Sequence, residues 1–392
     1  MCTTRAYAIT AEAIDREKTR CAGDLSRIEL ARILELCELE LPPLGSHDVR
    51  LRIIAVSAEH NVLHALLADM VDIVKQHGGR LIPGNSAVAE VLEVGRCVVR
   101  FKPGDIVQTH CNGRPDRYGY PERIWGFDAP GSVGWYAEHA VVGEWQVIPV
   151  PLACGLSLEE IAALPLRAPT AYHLWRRAIG ILRIKVPQER RARLNVLGFG
   201  GGVSELFLML ARAEGHAAYF CSGSPARREA LEQLGIHGID QGAFDRFRRP
   251  EGVTVFREEV RRLTAGDDMH IVCDMLRGRI FPAGIAVTAR GGVNVSAGWQ
   301  LSPVVEYSSA LLSVKQITLD HTHYETIGGC GAATELYGSV FKPTLHHEVY
   351  AFEDLPRCFQ EMHRNQQSGI PIIRMSRRAP TPRALVHDRA FS

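Results

Sequence analysis

The hydrophobic rhythm of the chain changes once along its length. Residues 1–158 carry short runs of alternating apolar and polar positions, broken repeatedly by Gly and Pro: "DVRLRIIAVSA", "AVAEVLEVG", "GDIVQTH", "YAEHAVV" and "WQVIPVP". A period of two with that punctuation predicts half-buried strands in a largely antiparallel, barrel-like domain. Beyond residue 158, apolar runs alternate with segments of helical spacing. "LNVLGF", "AAYFCS", "HGIDQ", "HIVCDM", "GGVNVSA" and "SVKQITLDH" are the strand candidates, and "SELFLMLARAEG" and "PARREALEQLG" are helices between them. Gly215 supplies the stop for the first of these helices. Six strands alternating with amphipathic helices predict an α/β, doubly wound parallel sheet. The stretch "HEVYAFEDLPRCFQEMHRNQQSGIPIIRM" can return to complete the first domain, so the expected division is 1–158 with 320–392, and 159–319. The basic, proline-bearing tail "SRRAPTPRALVHDRAFS" is expected to be disordered.

Composition narrows the function classes. A chain of 392 residues is long for one core, which agrees with two domains. The formal net charge of +1 gives no reason to expect a nucleic-acid or membrane partner. No apolar run reaches the roughly 18 residues of a membrane helix, and the N-terminal stretch lacks a secretory apolar segment. Ten cysteines are scattered singly, without a CxxC pair. That usage suits free thiols in a reducing cytoplasm and implies no metal site.

The stretch "VLGFGGGVSE" joins the first parallel-strand candidate to its helix. Gly198, Gly201 and Gly202 would let the backbone turn tightly and approach a pyrophosphate at a helix N-terminus. A glycine cluster alone is a weak signal, since any tight strand-to-helix turn can use one; the six-strand context strengthens it. Ser204 replaces the usual last glycine, and Glu205 puts a negative charge near the anion. The second strand ends in "CSGSPARRE" with no acid for ribose hydroxyls. Ser222, Ser224, Arg227 and Arg228 instead offer hydroxyls and an arginine fork that suits the 2′-phosphate of NADPH. An Arg-Arg pair can equally be a solvated helix start.

One loop raises a separate question. "RIWGFDAPGSVGWYAEHAVV" places Asp128 directly behind Trp125 and Phe127, where the bland reading is a turn-opening aspartate beside aromatic packing.

The order of a barrel domain, "GDIVQTH", "WYAEHAVV", "ALPLRAPTAYHLW" and the glycine loop resembles the medium-chain dehydrogenase/reductase superfamily from about residue 40 to 375. The resemblance implies a GroES-like β-barrel catalytic domain with a Rossmann domain. Zinc-dependent members have a His-Glu pair where this chain has Asn85, so the zinc-independent branch fits better. Within that branch, "RIWGFD", "FREEVRRLTAGDDMHIVCDM", "SVKQITLDHTHY" and "KPTLHHEVYAFEDLPRCFQEMHRNQQSG" are similar to crotonyl-CoA carboxylase/reductases.

That family adds hydride from NADPH to an α,β-unsaturated acyl-CoA and captures carbon dioxide at the α-carbon. Carried over by position, Asn61 and His321 would hold carbon dioxide and Phe127 would wall the pocket. Asp128 would stand for the family glutamate that anchors a water, and Thr170 would lie near the nicotinamide. The implied partners are an acyl-CoA or carrier-bound enoyl thioester, carbon dioxide, and a second copy of the chain in a dimer or larger homo-oligomer. Departures are visible too. Asp128 is one methylene shorter than the family residue, His323 competes with His321, and Ile370 stands where a lysine is expected. Two alternatives therefore stay open: a plain NADPH-dependent enoyl-thioester reductase, and a non-catalytic member of a biosynthetic complex. Individually, Asn61 reads equally as a helix cap, His321 as a half-buried strand-end histidine, and Thr170 as a helix-start residue.

Overall fold

The computed structural model describes residues 2–375 apart from 70, 71, 77, 130, 346 and 368, so the tail from Ser376 lies outside the described residues. The chain divides into two compact units, residues 1–166 with 347–392, and residues 167–346.

In the first unit the alternating runs become strands, chiefly antiparallel. Asp48–Ser57 lies at the centre, pairing with Ala87–Val94, with His139–Gly143 and with Ile372–Arg374. The last of these brings the end of the described chain onto the strand that precedes Asn61, with Ile372 opposite Ser57. Leu51, Ile53, Ala55 and Val56 are fully buried from this strand, together with Ala87, Val88, Ala89 and Val91 from its neighbour. Both runs shift register, between Arg50 and Leu51 and again between Ile53 and Ala55. Such bulges increase local twist and bend a strand, the device by which a sheet curls toward a barrel. A separate three-stranded sheet is formed by Thr3–Thr10 with Leu34–Glu40 and Arg80–Leu81.

The second unit holds a six-stranded sheet, parallel throughout. Its strands are Asn195–Phe199, Ala217–Ser222, His237–Asp240, Met269–Asp274, Thr288–Ser296 and Thr318–His321. Numbered in chain order, they lie 3-2-1-4-5-6, the doubly wound arrangement. The order reverses between Asn195–Phe199 and Met269–Asp274, and ligands of such sheets bind outside the carboxyl ends of the strands at that point. One boundary differs from the expectation. "SVKQITLDH" is not one strand: Ser309–Lys315 is helical, Gln316 closes the helix in the left-handed region, and pairing begins at Thr318. Its apolar residues are compatible with either structure over so short a run, and Ser308 caps the helix by accepting from Leu311 N–H.

Candidate functional site

In the second unit the strand Asn195–Phe199 passes through the turn Gly200–Gly202 into the helix Val203–Ala213. Gly200 and Gly202 have φ of 96° and 56°, which non-glycine residues rarely adopt. Gly198 serves packing, because a Cβ there would come within 3.0 Å of Leu208 on the helix. Ser204, at the last-glycine position, is buried and donates to the Phe199 carbonyl at 2.6 Å. The small hydroxyl thus bridges strand and helix where glycine would merely allow close approach. Arg167 packs on the turn, its Nε 3.0 Å from where a Gly202 Cβ would stand. It begins the helix Arg167–Lys185, and Thr170, buried one turn further along, lies inside that helix rather than at its cap.

Glu205 does not face the turn as an unpaired charge. Its Oε1 accepts from Arg227 Nη1 at 2.5 Å and its Oε2 from Thr344 Oγ1 at 3.0 Å. Arg227 therefore reaches across the glycine turn, its Nη1 2.2 Å from where a Gly201 Cβ would lie. Arg228 points elsewhere, donating to the Ser222 carbonyl at 2.6 Å and to Asp240 Oδ1 at 3.1 Å. Ser224 caps the helix Pro225–Glu232 through Arg227 N–H, and Ser222 Oγ accepts from Ser224 N–H. The two arginines form separate contacts in place of one fork.

His321 ends the edge strand, and its environment was not legible beforehand. Arg277 Nη2 approaches His321 Nε2 at 2.7 Å, while Arg277 Nη1 donates to Asn294 Oδ1 at 3.1 Å. A guanidinium can only donate, so Nε2 is the acceptor and the imidazole hydrogen sits on Nδ1. Burial, then the Arg277 charge, lower the His321 pKa and favour the neutral ring. Arg277 is itself buried, 4.0 Å from the fully buried Asp274, whose Oδ1 accepts from the N–H groups of Leu276 and Arg277. Burial raises the Asp274 pKa, and Arg277 opposes the rise. The overlooked signal was an acid closing an apolar strand with an arginine three residues on, in "CDMLRG".

In the first unit Asn61 is the second residue of the helix His60–Leu67; Glu59 is the cap position. The Asn61 amide oxygen accepts from Val62 N–H at 2.9 Å. The segment starting this helix is tied to the aromatic loop through its neighbours. Tyr136 Oη donates to the Ser57 carbonyl, and Ser57 N–H donates to Ser86 O. Within the loop, the Ile124 carbonyl accepts from Phe127, Asp128 and Ala129 N–H, and Trp125 Nε1 donates to Val133 O at 2.7 Å. Asp128 Oδ1 accepts from Ile124 N–H, and Oδ2 lies 3.9 Å from Arg123. Phe127 is buried. The carboxylate thus closes the turn, as the bland reading expects, with one oxygen turned toward the loop backbone. Ile370 precedes Pro371, whose carbonyl accepts from Ala58 N–H, so the position of the missing lysine adjoins the segment leading to Asn61.

No group of three His, Cys, Asp or Glu side chains among the described residues is arranged to hold a metal. No described helix is long and apolar enough to cross a membrane.

Comparison with known proteins bears on the fold and class of the chain. Residues 45–152 match the alcohol dehydrogenase GroES-like domain. The chain is 26% identical over 368 residues to crotonyl-CoA reductase of Streptomyces collinus, covering 86% of this chain and 80% of that protein. It is 24% identical over 355 residues to crotonyl-CoA carboxylase/reductase of Cereibacter sphaeroides, covering 84% and 80%. The solved 2-octenoyl-CoA carboxylase reductase complexed with NADP and 2-octenoyl-CoA superposes with a TM-score of 0.78 at 22% identity. That match covers 95% of this chain and 87% of the other. The GroES-like match and the doubly wound parallel sheet resemble the architecture of medium-chain dehydrogenase/reductases. Within that class, the chain is similar to crotonyl-CoA reductases and carboxylase/reductases.

Proposed function

We propose that this protein is an NADPH-dependent oxidoreductase that reduces an α,β-unsaturated acyl-CoA and carboxylates it to an alkylmalonyl-CoA. The observation that carries the reading is likeness to crotonyl-CoA reductase over 86% of the chain. An acid-free end to the second strand supports the choice of NADPH over NADH.

The residues present fit the cofactor. The turn at Gly200–Gly202 opens a helix N-terminus, a site suited to a pyrophosphate once the Arg227 side chain swings aside. Ser222, Ser224 and Arg228 would hold the adenine ribose end. Arg227, now on Glu205, would be within the same turn as the pyrophosphate. When bound, NADPH supplies the hydride that reaches the β-carbon. The double-bond electrons then form an enolate, and its α-carbon bonds to the carbon of carbon dioxide as a C–O π pair moves onto oxygen. Carbon dioxide is small and uncharged, so the residues' main task is to hold it and to keep a water proton away. Asn61 would donate its amide N–H, and His321, neutral with hydrogen on Nδ1, would donate a second hydrogen bond. Phe127 would exclude water, and the Asp128 oxygen that does not close the turn would orient a polar neighbour. Homo-oligomerisation through the edge strand Thr318–His321 of the six-stranded sheet belongs to the same reading.

The test is NADPH oxidation across a panel of enoyl-CoAs, with and without labelled bicarbonate. Label in an alkylmalonyl-CoA supports the proposal, and rapid turnover without label removes its carboxylase half. One observation favours the runner-up, a plain enoyl-thioester reductase: Asp128 is short and bonds back to Ile124 N–H. Appearance of label only in Asp128→Glu would establish that second reading for the natural chain.

A further inference from the structure

The end of the second parallel strand carries a cation that the sequence pattern does not single out. Gly223 follows the strand directly after Ser222, and a Cβ at Gly223 would stand 3.9 Å from Arg246 Nε and 4.0 Å from its Nη2. Arg246 comes from the segment after the third strand, brought alongside by parallel pairing of Ala217–Ser222 with His237–Asp240. Asp245, Arg246 and Phe247 have φ of 49°, 49° and 59°, three successive left-handed residues without a glycine. L-residues disfavour such a run, and it persists only where the surroundings over-determine it. Here Phe244 and Phe247 are both buried, packing their rings on Phe256 at centroid distances of 5.1 and 5.0 Å. The chain must reverse between these two anchors, and the reversal leaves Arg246 exposed. Among the described residues its guanidinium has no hydrogen-bond or ion-pair partner, whereas Arg227 is held by Glu205 and Arg228 by Asp240. Asp245, next in sequence, lies 3.8 Å from Arg249.

We infer that Arg246 is the residue that takes the 2′-phosphate of NADPH and sets the preference over NADH. Its planar fork can meet two phosphate oxygens beside the ribose end of the strand. This inference rests on the NADPH reading above.

The experiment is fluorescence titration of NADPH and NADH, with calorimetry of 2′,5′-ADP, on the full chain and on Arg246→Gly, Arg246→Lys and Arg227→Ala. Glycine suits the left-handed backbone, so Arg246→Gly removes the guanidinium without adding strain. The expected result is loss of NADPH and 2′,5′-ADP affinity by about 10- to 100-fold in Arg246→Gly. Arg246→Lys should be intermediate, and NADH affinity should change less than about twofold, which also reports an intact fold. Unchanged NADPH preference in Arg246→Gly, or its loss in Arg227→Ala alone, overturns the inference while leaving the cofactor reading intact. A wild-type chain that binds neither NADPH nor 2′,5′-ADP overturns the cofactor reading and this inference together.

Discussion

Two glycine turns in this protein are closed in opposite ways. In the aromatic loop of the first unit, a Cβ at Gly126 would lie 2.0 Å from the Gly84 carbonyl oxygen and 2.9 Å from Gly134 Cα, at φ 67°. In the glycine turn of the second unit, a Cβ at Gly201 would meet the tip of Arg227 at 2.2 Å. Backbone cannot retreat from an intruding methyl group, whereas a guanidinium on a flexible stem can. The first turn is therefore built to one shape, and the second is covered by an ion pair that can swing aside. Under the proposed function, the former suits a loop that excludes water and the latter a turn that admits a charged ligand.

That contrast can be broken by measurement. Gly126→Ala should be the most damaging change, losing about 4–6 kcal/mol from left-handed strain added to overpacking. Thermal unfolding checks it, and a melting temperature near that of the natural chain would show the loop to be adaptable. Arg277→Met should follow, at about 3–4 kcal/mol in urea unfolding, because it leaves Asp274 buried without its counter-charge. Asp128→Ala should lower label incorporation from bicarbonate by about 100-fold through loss of positioning, with NADPH oxidation reduced far less. Equal loss of both would mean that Asp128 merely shapes the loop. Bicarbonate-dependent product should also respond to pH through His321. The His321 pKa is lowered in the fold, so the neutral ring persists below the ordinary histidine value of about 6.5. Product should stay level down to that pH and fall only beneath it. The same sign means that protonating His321 opposes folding, so stability attributable to it is lost as pH falls. Gly201→Ala should have the smallest effect, under about 1 kcal/mol on stability, since the Arg227 tip yields.

Local pattern made much of the molecule legible. The first five parallel strands appear as apolar runs between helical segments, each short enough to be delimited by its own Gly or polar residues. The sixth was blurred, because "LLSVKQI" satisfies helix and strand spacing alike until Ser308 caps it. Among site residues, Gly202 follows from turn chemistry, whereas the positive φ of Gly200 came only with the structure, and the acid-free strand end at Ser222 is visible by inspection. Asn61, by contrast, was readable as a cap, yet the cap is Glu59, because the helix begins one residue earlier than Asn61. Nothing local indicated that Arg227 would choose Glu205, or that Arg228 would choose Asp240.

By itself, the sequence determined most of the strands and helices, where the glycine turn falls, and which residue types stand around it. These are properties of spacing and backbone conformational preference over a few residues, and they need no knowledge of the remainder. Only the tertiary structure decided the partners: Arg277 on His321 across 44 residues, and Arg246 beside Gly223. Both depend on which strand lies next to which and on where two buried phenylalanines force the chain to reverse. Strand order and buried anchors are settled by packing of the whole sheet, and no short window of sequence contains them.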